Sequence, residues 1–416
     1  MSDEPHLTAV IDRGYNRHVI VRARLVVTMD GPPIENGAVA ISGSRIVDVG
    51  TFQEISARTS EEILDLGEQA LLPGLINAHC HLDYTCLRGR IPRQDSFAGW
   101  IRAINAEKAK LGPEAYVTSI TAGFLEARRF GTTTIANLTA FPELISQIRP
   151  LIRTWWFPEL INVRTPELVN VILDRAIKVL KEVEHCGLAP HAPFTASEKL
   201  YRECQGRAGQ NFLRLTTHLA ESREEMSMFR DASGPLYEFL KQLGRPMTDC
   251  GNQTPLARFF QYVDEEEPWL LVHVNELVNA DLDLLRRAKP NFRIVHCPRS
   301  HNYFRHSPFQ FQNLRKLGFN ICLGTDSLAS NDDLSLFAEM RAFQREFTDV
   351  HAQEILEMAT VKPALALGRD DLLGRIRPNA AADLIAIPCP KKEETFEGII
   401  AHDGSVDWVM ADGIIQ

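Results

Sequence analysis

Histidine and acidic residues recur at the ends of apolar runs along this chain, where they could bind a metal ion. The first such run, residues 71–78, is followed by His79-Cys80-His81. Side chains two apart on a strand point to the same face, so this spacing directs two imidazoles toward one point. Later apolar runs end at His218 (with Glu221), at His273 and at Asp326. Four such coincidences in chain order predict a metal site.

The candidate ligands are three imidazoles and one carboxylate, a set that suits Zn²⁺ or Fe²⁺. They are His79, His81, His218 and Asp326. We expect one divalent ion, with Zn²⁺ as the first choice and Fe²⁺ as the alternative. A bound ion lowers the pKa of its water from roughly 15.7 to about 7, which supplies metal-bound hydroxide at neutral pH.

Three acidic or imidazole side chains are candidates for catalysis. Glu221 lies three residues beyond His218, where it could carry a proton from the attacking water to a leaving nitrogen. His273 is not needed as a ligand, so we expect it to polarise the electrophile or to steady the hydroxide. Asp326 would serve both as ligand and as the acceptor that orients the hydroxide.

Composition excludes several broad classes of protein. The chain has 416 residues, 44% of them hydrophobic, and a net charge of −9. That charge argues against general nucleic-acid binding. No apolar run reaches the roughly 18 residues of a membrane span, and the start of the chain lacks a signal-peptide layout. The eight cysteines form no C-x-x-C pair, which predicts reduced thiols in a cytoplasmic protein and excludes the H-x-E, P-C-x-x-C type of zinc deaminase.

The order of predicted elements favours an α/β fold, a (β/α)8 TIM-like barrel with a small β-sandwich domain built from both chain ends. Residues 1–70 and 371–416 have a strand-and-turn texture and would form the sandwich, and residues 71–370 the catalytic barrel. Eight barrel strands are predicted, at 71–79, 131–137, 151–157, 187–191, 212–218, 269–274, 292–296 and 320–325. Capping boxes at Thr195–Glu198 and Ser222–Glu225 predict helices directly after His191 and Glu221. The candidate ligands would therefore lie in the loops at the C-terminal face, where such barrels keep their sites.

Further residues near the predicted strand ends are candidates for binding a small-molecule substrate. Trp100 and Trp155 could stack on a planar base, and Arg153 and Arg299 could meet a substrate carboxylate. His191 and Ser300 complete this predicted set of contacts. His296 is open between a structural and a substrate-facing role, and the roles of Cys80, His301 and His306 also stay open.

The motifs of the chain resemble those of the amidohydrolase superfamily, in its mononuclear deaminase branch. They are Pro73-Gly-Leu-Ile-Asn-Ala-His-Cys-His81, Gly131-Thr-Thr-Thr, His218-Leu-Ala-Glu221, Val272-His273, His296-Cys-Pro-Arg-Ser300 and Leu323-Gly-Thr-Asp326-Ser. The segment Ala189-Pro-His-Ala-Pro-Phe-Thr is similar to that of the S-adenosylhomocysteine, methylthioadenosine and aminodeoxyfutalosine deaminases. The resemblance implies that the four ligand candidates bind metal, that Glu221 is the proton shuttle and that His273 is the second catalytic histidine. It also implies one ion, since two-metal relatives carry a bridging lysine where this chain has His191.

The leading hypothesis is a hydrolytic deaminase of a 6-aminopurine nucleoside with a 5′ substituent. A second hypothesis keeps the metal but changes the bond, as in hydrolases of cyclic amides, guanidines or chloro-heterocycles. A third is a scaffold that has lost catalysis, although no ligand is missing. The exact substrate and the oligomeric state, with a homodimer among the alternatives, are not determined by the sequence.

Overall fold

The protein is described from a computed structural model that covers residues 18–58, 61–264, 267–288 and 292–416. The strands of these residues, in chain order, are β1 (His18–Val26), β2 (Ile34–Ser42), β3 (Arg45–Thr51), β4 (Glu62–Asp65), β5 (Gln69–Pro73), β6 (Leu75–Cys80), β7 (Thr132–Thr139), β8 (Arg153–Leu160), β9 (Gly187–Pro190), β10 (Arg214–Leu219), β11 (Trp269–His273), β12 (Arg293–His296), β13 (Asn320–Leu323), β14 (Leu384–Pro388), β15 (Trp408–Ala411) and β16 (Ile414–Ile415).

The α-helices lie mostly between the strands of the central part. They are α1 (Phe52–Ser56), α2 (Phe97–Lys108), α3 (Pro113–Arg129), α4 (Val169–Leu180), α5 (Glu198–Asn211), α6 (Arg223–Asp231), α7 (Pro235–Gln242), α8 (Pro255–Tyr262), α9 (Asn279–Arg287), α10 (Pro298–Phe304), α11 (Phe311–Lys316), α12 (Leu336–Glu346), α13 (Ala352–Glu357), α14 (Val361–Ala366) and α15 (Thr395–Ile400). Short 3-10 helices lie at Leu82–Leu87, Pro142–Gln147, Pro166–Leu168 and Lys392–Glu394. None of the helices in the described parts of the chain has both the length and the apolar character to cross a membrane.

The central sheet is a parallel barrel. Strands β6 to β13 pair in chain order with their neighbours. The ends of this sheet meet where the backbone N–H groups of Thr325 and Asp326 donate to the carbonyl oxygen of His79. The segment that carries His79 and the segment that carries Asp326 are therefore hydrogen-bonded to each other where the barrel closes. The predicted α/β barrel is confirmed.

A second sheet is built from both ends of the chain. Its order is β16-β15-β14-β5-β1-β2-β3, and β4 pairs with β1. Its apolar side chains, among them Val21, Val39 and Leu384, are fully buried. This sheet agrees with the predicted contribution of both termini, whereas the exact domain boundaries stay a prediction.

Each of the eight predicted barrel segments contains a strand, but the first segment is shared between the two sheets. The run 71–79 is divided at Gly74 into β5, which pairs with β14 in the terminal sheet, and β6 in the barrel. A Cβ atom on Gly74 would lie 2.1 Å from Oγ1 of Thr133. Only glycine fits at this crossing between the sheets.

The predicted helix starts are partly corrected. Ser222 caps α6 by accepting from the Glu225 amide at 3.2 Å. The cap of α5 is Ser197, which accepts from the Leu200 amide, and not Thr195, whose hydroxyl is held by the His191 ring at 2.6 Å. The competition between a backbone amide and an imidazole for Thr195 could not be seen in the sequence.

Arg153 joins the barrel to the terminal sheet and does not reach the ligand cluster. It is the first residue of β8, and its guanidinium pairs with Asp383 at 3.3 Å and Asp412 at 2.9 Å. Both of its ion pairs lie with the terminal sheet, so this placement does not support the predicted contact with a substrate carboxylate. Burial raises the pKa of the Asp383 carboxyl, although the Arg153 guanidinium opposes that shift.

We expect Arg153→Met to lower the free energy of unfolding by about 2–3 kcal/mol, because it leaves the buried Asp383 carboxylate without its cation. Urea titration followed by circular dichroism measures the change. The control is Arg230→Met, which removes an exposed ion pair with Asp231 and should cost clearly less stability, because solvent screens the pair. Equal losses in both variants would contradict the linking role of Arg153.

Candidate active site

The four predicted ligands converge at the C-terminal face of the barrel. The Nε2 atoms of His81 and His218 face each other at 3.2 Å. Oδ1 of Asp326 lies 3.7 Å from Nε2 of His79 and 3.8 Å from Nε2 of His81. The ligand atoms of His79, His81 and Asp326 all lie within 4.8 Å of one another. These distances are short enough for one ion to be shared among the candidate ligands.

A β-bulge brings the first two histidines to the site. Ile76 and Ala78 pack in the barrel interior with residues from other barrel strands, so plain alternation along β6 would direct Cys80 inward. The pairing of β6 with β7 shifts between Asn77 and Cys80, and Cys80 packs in the outer core instead. The bulge therefore reverses the inward–outward alternation of side chains along the strand, and His79 and His81 face the cluster.

The cluster is buried and chemically suited to a cation. His79 is completely buried, and neither of its ring nitrogens has a hydrogen-bond partner in the described residues. Burial, with His191 and His79 close by, lowers the pKa of His218 to about 3. Burial and the His79 and His218 rings lower the pKa of His81 well below its usual value. The His81 and His218 imidazoles are therefore neutral at physiological pH, the form in which histidine binds a metal.

Asp326 is held by hydroxyl and amide donors. The Ser300 hydroxyl donates to its Oδ2 at 2.6 Å, and the Ser327 amide donates to its Oδ1 at 2.8 Å. Burial opposes ionisation of Asp326, but the His79 and His273 rings hold its pKa well below the usual range. Ser300, predicted to contact substrate, is thus placed against the carboxylate, which it orients.

Glu221 and His273 form a pair beside the ligands. Oε1 of Glu221 lies 3.6 Å from Nε2 of His273, and both side chains are buried. Burial raises the pKa of Glu221 well above its usual value, and the carboxyls of Asp326 and Glu225 add to the shift. A glutamic acid that keeps its proton near neutral pH can act as a general acid and then as a base.

The backbone at the strand ends is held in uncommon conformations. Positive φ angles occur at Ala220 (49°), His273 (75°), Val274 (51°) and Asp326 (56°). Non-glycine residues rarely adopt this region, and such strain persists where the surrounding structure over-determines it. The Glu225 carboxylate, for example, accepts from the amides of Ala220 and Glu221, which fixes the turn that carries Glu221.

The structure adds Glu159, which the sequence analysis missed. This buried carboxylate belongs to the last residue but one of β8 and lies 3.9 Å from Nδ1 of His81 and 3.7 Å from Nε2 of His191. The carbonyl of His191 also accepts from Nδ1 of His218 at 2.9 Å, which leaves Nε2 of His218 facing the cluster. His191 therefore lies beside the ligand cluster, and its contact with substrate stays a prediction. The signal for Glu159 was its position two residues beyond Phe157 on the inward face of the strand.

Trp155 and Arg299 are not brought to the cluster. Trp155 lies four residues before Glu159 on the same strand, about 13 Å lower, and stacks on His185 with the ring centroids 4.3 Å apart. Arg299 pairs with Asp333 at 2.6 Å and Asp332 at 3.1 Å. These placements do not support the predicted stacking by Trp155 or the predicted carboxylate contact by Arg299. Trp155 lies below the cluster because β8 extends three residues beyond its predicted end.

The remaining candidates divide between the site and the core. Trp100 packs edge-on against Phe304, 5.0 Å between ring centroids, in the wall of a cavity of about 370 Å³ that Ser222, the residue after Glu221, also lines. His296 faces away from the barrel interior and stacks on Phe309 at 3.9 Å, which favours a structural role. His301 bonds the Asn275 side chain at 3.0 Å, and Asn275 donates to the carbonyl of Glu221.

Comparison with known proteins agrees with this fold and site. The sequence model of the amidohydrolase family matches residues 70–415. The chain is 26% identical over 412 residues to a 5′-deoxyadenosine deaminase of Methanothermobacter thermautotrophicus, which covers 93% of this chain and 90% of the relative. It is also 26% identical over 426 residues to a 5-methylthioadenosine/S-adenosylhomocysteine deaminase of Moorella thermoacetica. That alignment covers 95% of this chain and 93% of the relative. The crystal structure of an adenosine deaminase from Xanthomonas campestris with bound zinc superposes with a TM-score of 0.81 at 25% identity, over 96% of this chain and 92% of the other.

The closed parallel barrel with histidine and carboxylate groups at its C-terminal face defines a class of metal-dependent barrel hydrolases. The chain belongs to the amidohydrolase family. The resemblance predicted from the motifs is confirmed.

Elemental analysis of protein purified without added metal should give close to one divalent ion per chain, because the facing nitrogens share one site. We expect His218→Ala and Asp326→Ala to lose the ion and the activity together. The control is His351→Ala, since His351 is exposed on the outside of the barrel and should retain the metal. A reproducible ratio near two, or full metal content in the ligand variants, would contradict this site.

Proposed function

We propose that this protein is a hydrolytic deaminase that uses one divalent ion to replace the 6-amino group of an adenine nucleoside with oxygen. The observation that carries the proposal is a pair of side chains beside the ligand cluster. Glu221 and His273 lie 3.6 Å apart, near the facing nitrogens of His81 and His218. Displacement of an amine needs a group that takes a proton from water and gives one to nitrogen. Glu221 is such a group at the edge of a donor set that suits Zn²⁺ or Fe²⁺.

In this proposal, His79, His81, His218 and Asp326 would hold the ion, which would supply hydroxide from water at neutral pH. Glu221 would take one proton of the water as it becomes hydroxide and donate it to the ring nitrogen next to C6, and would then take the remaining proton of the attacking oxygen. As the new C6–O bond forms and the C6–N bond breaks, Glu221 would pass that proton to the amino group, which leaves as ammonia. His273 would donate to the oxygen that attacks C6 and so orient it.

The side of the site that carries His191 and Glu159 is suited to hydroxyl groups. Nδ1 of His191 is engaged by Thr195 at 2.6 Å, and its Nε2 faces the Glu159 carboxylate at 3.7 Å. A carboxylate next to a half-buried imidazole can accept from vicinal hydroxyls such as those of a ribose. This supports a nucleoside in preference to a free base.

Zn²⁺ is the ion that we propose, because the related Xanthomonas campestris adenosine deaminase was solved with zinc and three imidazoles with one carboxylate suit it. We place the enzyme in the cytoplasm. All eight cysteines lie in the described residues as free thiols, which fits a reducing compartment.

The substrate proposal is tested by an ammonia-release screen over adenosine, 5′-deoxyadenosine, methylthioadenosine, S-adenosylhomocysteine, aminodeoxyfutalosine, guanine and cytosine. We expect turnover of at least one adenine nucleoside with a 5′ substituent, with the adenine absorbance near about 265 nm lost in step with ammonia, and none of cytosine or guanine. If a chloro-, amide- or guanidine-type compound is hydrolysed while every adenine nucleoside stays intact, the deaminase proposal fails.

Glu221→Gln should keep the metal and lower kcat by roughly a hundredfold or more, because the amide binds no transferable proton while the ligands are unchanged. Steady-state kinetics checks the fall in kcat, and metal analysis checks that the ion is retained. Glu238→Gln is the matched control, since Glu238 is exposed on α7. Near-normal turnover in Glu221→Gln would remove Glu221 from the proton route.

A further inference from the structure

A cavity of about 420 Å³ lies at the end of the barrel opposite to the ligand cluster. It is bounded by the start of β8, by the residues before β9 and by the start of β10, which contribute Trp155, Cys186 and Arg214. Arg214 is the first residue of β10, and His218 lies four residues further along the same strand, roughly 13 Å away. A molecule in this cavity would therefore be separate from the candidate metal site.

The guanidinium of Arg214 is half-buried and has no acceptor among the described residues. No carboxylate of these residues lies within ion-pair distance of it, and its side chain donates no hydrogen bond to them. A Cβ atom on Gly368 would overlap a terminal nitrogen of Arg214, so the guanidinium lies directly against the backbone there. Charged groups that are withdrawn from water are normally paired. The N–H donors of Arg214 are thus available to a ligand.

Like charges lie close to Arg214. Arg369 and Lys181 line the same cavity, and Arg369 pairs at 3.6 Å with Asp371, which is exposed. Burial and the charges of Arg293 and Arg369 lower the pKa of the Arg214 guanidinium. A bound anion would offset this repulsion between cations.

The carboxylates around the cavity do not balance its cations. Glu184 is the one acidic side chain among the described residues that line it, and it is exposed, 3.6 Å from the His185 ring. Three cations, Lys181, Arg214 and Arg369, against one carboxylate leave an excess of two positive charges, on a chain whose net charge is −9. An excess of two matches a dianion, and guanidinium groups are preferred partners of phosphate.

The same cavity also has an aromatic side. Trp155 and His185 stack on each other in its wall, and Phe212 lines it with 95% of its surface exposed. An exposed phenylalanine gains nothing from hydrophobic burial, and this one also has a positive φ of 55°, which is unfavourable for a bulky side chain. A planar group stacked on Phe212 would bury its ring.

We propose that this cavity binds a phosphate monoester of a planar organic group, with Arg214 and Arg369 contacting the phosphate and Phe212 contacting the planar group. The volume of the cavity suits a small molecule, since such sites span roughly 300–1,000 Å³. The site is distinct from the candidate active site, and the proposal does not depend on the deaminase function.

The test is isothermal titration calorimetry of the metal-loaded protein at low salt and pH 8, where a phosphate monoester is a dianion. The probes are phenyl phosphate, inorganic phosphate and benzoate. We expect phenyl phosphate to bind most tightly, inorganic phosphate more weakly because it lacks the ring, and benzoate most weakly because it carries one charge. Arg214→Met should weaken the binding of phenyl phosphate by at least about tenfold, as charge-assisted hydrogen bonds are among the stronger ones.

Two further variants separate the two parts of the site. Arg369→Met should also weaken phenyl phosphate, whereas Phe212→Asn, which tolerates the left-handed backbone, should reduce its affinity to that of inorganic phosphate. Arg214→Met should not lower the Tm, because it removes a charge that its neighbours repel. Arg202→Met is the control, since Arg202 is exposed on α5 and pairs with Glu198; it should bind as the unaltered protein does.

Three results would overturn the proposal. One is the absence of measurable binding of phenyl phosphate. Another is undiminished binding in both Arg214→Met and Arg369→Met, which would locate the anion elsewhere, for example at the metal cluster. The third is equal affinity for phenyl phosphate and inorganic phosphate in the unaltered protein, which would assign the cavity to the free anion. None of these results bears on the deaminase proposal, which the ammonia-release screen tests separately.

Discussion

The structure depends on one constraint, the close approach of buried nitrogen and oxygen atoms of four side chains at the end of the barrel. The Nε2 atoms of His81 and His218 lie 3.2 Å apart with Asp326 next to them. Both ring nitrogens of His79 lack a hydrogen-bond partner within the described residues, and buried polar groups without partners are costly. A cation bound here would remove that cost, so the feature that destabilises the fold without an ion favours the binding of one.

The barrel supplies the rigidity that this arrangement needs. Closure between the first and last barrel strands goes through the carbonyl oxygen of His79, which accepts from the amides of Thr325 and Asp326. Asn77 reinforces the junction, since its side chain donates to the Thr325 hydroxyl at 2.7 Å. The ligands of the two ends of the sheet are therefore positioned by backbone hydrogen bonds, and a shift of either strand would move both.

Charged side chains are distributed unequally between the two ends of the barrel. At the start of β8, Arg153 is committed to Asp383 and Asp412 of the terminal sheet. Around the site, Arg299 is committed to the loop that carries Asp332 and Asp333. Both arginines therefore hold parts of the fold together, whereas the chemistry would come from the cluster.

The sequence by itself determined the strand count of the barrel, the contribution of both termini to a second sheet, and which histidines, glutamate and aspartate lie at strand ends. These features are local, since apolar runs, turn residues and the order of motifs depend only on residues that are close together in the sequence. The tertiary structure decided which side chains meet. The bulge in β6 turns His79 and His81 inward, and the extension of β8 to Leu160 brings Glu159 to the site and leaves Trp155 below it. Arginines offer no sequence signal for their partners, because an ion pair such as Arg153–Asp383 joins residues 230 positions apart and exists only once both sheets have formed.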